Sequence, residues 1–112
     1  MAADGTLTPE VRSLLAAIDR AEARLDEVLG RQYLLTPEWM RASVILGGAR
    51  SKFDQLRETA QTKPKKFVCA EIAALIILLE RALELAGIRV PEIMTTIREL
   101  AVAAAAFGCG LV

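Results

Sequence analysis

Leu35-Thr36-Pro37-Glu38-Trp39-Met40-Arg41-Ala42-Ser43-Val44-Ile45-Leu46-Gly47-Gly48-Ala49-Arg50-Ser51-Lys52-Phe53 is the stretch on which the fold turns. With a turn at Gly47-Gly48 it holds two short helices; without one it is a single long helix. Two glycines inside a helix cost about 2 kcal/mol against alanine. Yet Trp39, Ala42, Leu46, Ala49, Phe53, Leu56 and Ala60 step by three and four straight through the pair, and a turn would break that phase. The stepping is the spacing of one helix face. One continuous helix over 37–61 is therefore expected, with the glycines as the place where it can bend. Under the alternative, residues 49–60 become the second helix of a helix-turn-helix.

Working outward, the start of this helix has a twin. Leu7-Thr8-Pro9-Glu10 repeats the order of Leu35-Thr36-Pro37-Glu38. Threonine at the N-cap accepts a backbone N–H, proline at the first helical position loses no hydrogen bond, and glutamate complements the helix dipole. Val90-Pro91-Glu92 is a weaker version without a capping side chain. The first helix, about 9–33, buries Val11, Leu14, Ile18, Ala21, Leu25 and Val28; Asp19, Arg20, Arg24, Asp26 and Glu27 cover its outside. The last, about 91–107, carries Ile93, Ile97, Leu100, Ala104 and Phe107. Between them the third helix, about 66–86, is apolar nearly all round, and Gly87 is placed to end it. Lys63-Pro64-Lys65-Lys66 separates it from the second, since a proline pushes its predecessor out of the α region.

These readings define an all-α chain, an antiparallel (up-down) four-helix bundle with helices about 9–33, 37–61, 66–86 and 91–107. The loops are short enough to join antiparallel neighbours. The 112 residues form a single helical domain, with 1–7 as an N-terminal arm and 108–112 as a flexible tail. The apolar fraction, 54%, exceeds the usual ~45–50%, and aliphatic residues supply the excess.

Much chemistry is excluded. Histidine is absent, and with it the commonest general base and metal ligand. Cys69 and Cys109 have no CxxC partner, and no glycine-rich phosphate loop occurs. Carboxylates such as Glu22 and Asp26 read as solvated charges, and Glu71 as a carboxylate favoured by a helix N-terminus. No catalytic, cofactor-binding or metal residue is therefore assigned, and no small-molecule substrate is expected. The stretch Ile18-Asp19-x-x-Glu22-x-x-Leu25-x-x-Val28-Leu29-x-Arg31 resembles the first helix of the all-helical chorismate mutases, which use no histidine. The resemblance covers 18–31 and implies a small helical enzyme as a distant alternative. The chain departs from that pattern at Ala16-Ala17, where the family usually has an arginine before the Ile-Asp pair. It departs again at Thr36-Pro37, where the family's helix runs on to a lysine; both departures put the substrate contacts in doubt.

The N-terminus shows no basic-then-apolar leader, and the longest uncharged stretches, 72–79 and 100–112, fall short of the ~20 residues that cross a bilayer. A cytoplasmic protein with free thiols and no membrane contact is the expectation.

What remains is surface. Fourteen basic and fourteen acidic residues cancel overall, but 37–66 holds seven bases against three acids. Opposite the core stripe of the second helix, Ser43, Gly47 and Ser51 form a row of small residues beside Gly48, which lets another backbone approach closely. Arg50 and Arg57 flank one side, Arg41 and Lys52 the other, and Lys63, Lys65 and Lys66 extend the positive field. These residues are the expected contact surface for a protein partner, or alternatively for a nucleic-acid backbone. Five aromatic residues and zero net charge argue against the latter. Ile77, Leu78, Leu85, Val102 and Phe107 are expected to form an apolar interface, because the third helix and the alanine-rich 101–106 carry more greasy surface than a small monomer hides. The function these features point to is non-enzymatic: a subunit, adaptor or regulator that docks on a larger complex or self-associates.

Overall fold

Four helices and no strand make up residues 8–30, 37–86 and 90–109, the parts described by a computed structural model of the chain. They are α1 (Pro9–Gly30), α2 (Pro37–Thr62), α3 (Lys65–Ala86) and α4 (Pro91–Phe107). The expected starts at Pro9, Pro37 and Pro91 are met, and α3 begins one residue early. At the head of α1, the Thr8 hydroxyl accepts the Val11 N–H at 3.2 Å, which satisfies one of the donors a helix start leaves orphaned. Val90, the cap of α4, has no such side chain and makes no side-chain cap bond. Thr36, Gly87 and the arm 1–7 lie outside the described residues.

The glycine pair does not interrupt α2, which runs unbroken through Gly47 and Gly48. Its stripe residues Trp39, Ala42, Leu46, Ala49, Phe53, Leu56 and Ala60 are all buried. Burying so many apolar side chains outweighs the ~2 kcal/mol that two glycines cost a helix. A Lys63-Pro64 connection then suffices between α2 and α3, with the Pro64 carbonyl accepting the Phe67 N–H at 3.0 Å.

Around the core, α1 touches α2 and α4, and α3 touches the same two. Phe53, Leu14, Ile18, Leu25, Leu46, Leu56, Ile72, Leu75, Leu79, Ile93 and Leu100 fill the centre. The Cα envelope measures 47 × 31 × 17 Å, with a radius of gyration of 14.5 Å. That exceeds the ~13 Å of a rounder chain this long.

One expectation is overturned. Cys69 and Cys109 are joined by a disulfide with a Cα–Cα distance of 5.5 Å, and neither is a free thiol. Forty positions apart in sequence, they meet because Cys69 lies in the first turns of α3 and Cys109 follows the end of α4. Gly108 steers the chain there. Its φ of 95° ends α4 in the left-handed region, with N–H bonds from the cap to the Ala104 and Ala105 carbonyls. Of the tail expected to be flexible, Gly108 and Cys109 are thus held; 110–112 lie outside the described residues.

Candidate functional site

The outward face of α2 carries the small residues where their spacing places them. Gly47 and Gly48 are exposed, and a methyl group added to either would meet nothing within 4 Å among the described residues. The Ser43 and Ser51 hydroxyls donate back to the Met40 and Gly48 carbonyls, both at 2.8 Å. Their polarity is thereby spent on their own helix. Met40 and Val44, 61% and 75% exposed, continue the row toward the helix start.

The bases around this row are split. Arg50 and Arg57 turn toward α1 rather than to a partner. Arg50 reaches Glu22 at 2.5 Å and Asp26 at 2.6 Å; Arg57 reaches Asp19 at 2.9 Å, Asp54 at 2.8 Å and also Glu22. The Glu22 side chain is only 13% exposed and receives both guanidiniums, so it is not the solvated charge its sequence position suggests. The reason lies in docking: α1 and α2 meet along the edges bearing these residues, and opposite charges at that edge are drawn from water into a shared network. As contacts for a nucleic-acid backbone, Arg50 and Arg57 are already neutralised. Arg41, Lys52, Lys63, Lys65 and Lys66 remain exposed. The Lys65 ammonium sits 5.1 Å from the Phe107 ring centre, and that of Lys66 lies 5.3 Å from Phe67.

The expected apolar interface is smaller than the sequence suggests. Ile77 and Val102 are exposed, 52% and 63%. Leu78 and Leu85 are half-buried and pack on the core. Phe107 is buried, contrary to its place in the expected interface, because it completes the α4 core stripe and lies beneath Lys65. Glu71, on the α2 side of α3, accepts a hydrogen bond from the Thr59 hydroxyl at 2.9 Å.

A feature that sequence reasoning missed lies on the other edge of α1. A groove of about 560 Å³ runs between α1 and α4, floored by Leu14 and Phe107 and walled by Ser13, Ala17, Ala103 and Ala106. Arg24 and Glu99 form an ion pair, and from there Arg20 is the last α1 residue and Arg98 the first α4 residue lining the groove. Both arginines are exposed, and neither forms an ion pair among the described residues. The small residues are visible in the sequence. Whether two small-residue edges leave a groove between their outward side chains is set by how the helices pack, which no single helix reveals. Among the described residues no cluster of three or more metal-ligating side chains occurs, and no helix is long and apolar enough to cross a membrane.

Comparison with protein-family models, curated proteins and solved structures finds no match. The site therefore has to be read from its own geometry.

Proposed function

We propose that this chain is a non-enzymatic interaction module, an antiparallel up-down bundle that seats a helix of a protein partner on the outward face of α2. The observation that carries this reading is the bare Gly47-Gly48 backbone in mid-helix. Each glycine costs about 1 kcal/mol against alanine, and among the described residues no neighbour occupies the space a side chain would take. A cost without an internal return is what close approach of a second backbone would offset. Exposed Met40 and Val44 supply apolar contact beside it, and Arg41 and Lys52 stand free to meet acids on the partner's rim. The bundle arrangement is supported by the reversed order of pairs along α1 and α2, where Asp26 meets Arg50 and Asp19 meets Arg57. The disulfide weighs against the cytoplasmic location expected from the sequence, since such bonds persist in oxidising surroundings.

Alanine at both glycines tests this directly. Gly47→Ala/Gly48→Ala should stabilise the isolated chain by about 1–2 kcal/mol in denaturant unfolding. The larger Gly47→Leu should abolish capture of the partner from the native source while leaving the fold intact by circular dichroism. Capture that survives Gly47→Leu, or that disappears with nuclease treatment, would refute the seat. Sizing of the captured species by mass separates a heterologous partner from a second copy.

A further inference from the structure

From the edge of the bundle remote from the α2 face, we infer that the α1–α4 groove binds a single-chain aliphatic carboxylate, with its chain between the small walls and its head at Arg20 and Arg98. A volume of about 560 Å³ lies within the range of small-molecule sites, ~300–1,000 Å³. The walls between the ends present methyl and methylene groups: Leu14, Ala17, Val102, Ala103, Ala106 and Phe107. From Arg98 to Phe107 the helix rises about 14 Å, so the slot runs lengthwise along α4. A flexible acyl chain fits such a slot better than a ring system does.

The charge pattern chooses the head group. At one end Arg24 cancels Glu99, which leaves the Arg20 and Arg98 guanidiniums uncompensated on opposite walls. At the other end the groove is lined by the Glu10 carboxylate, with the Lys65 ammonium beyond it over the Phe107 ring. An amphiphile with an anionic head gains at the arginine end and keeps its head away from Glu10; a cationic amphiphile meets two like charges. Guanidiniums are also the side chains that match the two oxygens of a carboxylate. This reading departs from the sequence-based expectation of no small-molecule ligand, because that expectation was built without the gap between the helices. It does not depend on the α2 seat.

The test is titration of the intact, disulfide-bonded chain with decanoate, laurate, dodecanol and dodecyltrimethylammonium, all below their micelle thresholds, followed by calorimetry and amide NMR. Laurate should bind saturably at one per chain and move the amides of Ser13, Ala17, Val102 and Ala106. Each methylene removed between laurate and decanoate should weaken binding about fourfold. Arg20→Gln/Arg98→Gln should weaken laurate by about fivefold and leave dodecanol unchanged. Ala106→Phe, placed on an exposed wall position, should fill the slot and abolish both. Equal affinity for laurate, dodecanol and the cation would overturn the assignment. So would laurate binding unaffected by Ala106→Phe, amide shifts centred on Val44 and Gly47, or uptake only in the presence of phospholipid vesicles.

Discussion

The two edges of α1 solve the same packing problem in opposite ways. Toward α2 it presents Asp19, Glu22 and Asp26, and the partner edge answers with Arg50 and Arg57, so long side chains bridge the helices and close the seam. Toward α4 it presents Ser13 and Ala17 against Ala103 and Ala106, and among the described residues the Arg24–Glu99 pair is the one ion pair that joins the two helices. The contrast shows that side-chain length, more than hydrophobicity, decides where surface space is left beside a helix contact. Long charged residues bridge the first edge; short residues let α4 approach α1 closely along the second and leave a groove above that contact. Seam and groove should therefore differ in how they respond to perturbation.

Removing the disulfide should produce the largest effect. A bond closing a 40-residue separation restrains the unfolded chain by up to about 4 kcal/mol. Cys69→Ser/Cys109→Ser should lower the denaturant midpoint accordingly. Hydrogen exchange should then quicken first at Ala104 to Phe107, the groove wall beside the lost anchor, and last along the α1–α2 seam. Uniform quickening would mean that the two edges are one cooperative unit. Thiol labelling of the unreduced native protein at either cysteine would show that the bond is not formed.

Next in size is Glu22→Ala. It strips two half-buried guanidiniums of their shared acceptor and should cost about 2 kcal/mol in equilibrium unfolding. Adding Arg50→Met and Arg57→Met should recover most of that loss, because long unbranched apolar groups would fill the edge without needing a charged partner. Failure to recover would mean that the charges specify the docking rather than merely fill it. The smallest change belongs to the groove side: Arg24→Ala should cost less than ~1 kcal/mol, an effect that shrinks further in high salt, since both partners are about a third exposed. A loss larger than that of Glu22→Ala would invert the comparison.

Much of this architecture is legible in the sequence. Thr8-Pro9-Glu10 announces a helix start with a side-chain cap, and the cap bond is there. The unbroken three-four stepping from Trp39 to Ala60 carries α2 through two glycines, because helix phase is a local property that tertiary contacts only reinforce. The same stepping places Phe107 in the core stripe. Its assignment to an interface fails because composition near the chain end counted apolar residues without regard to their angle on the helix.

Less of the candidate site is legible. The small outward row of α2 follows from a helical wheel, but Arg50 and Arg57 look free until α1 is set beside them. Cys69 and Cys109 look unrelated until a left-handed Gly108 brings the chain back onto α3.

By itself, the sequence determined four helices, the starting residues of three and most of the stripes that α1, α2 and α4 bury, because these depend on interactions spanning a few residues of one backbone. Which edges meet, which charges neutralise one another, which cysteines bond and where a gap remains were decided only in the tertiary structure. Those outcomes depend on the distances between helices, and such distances arise only when all four pack around the same core.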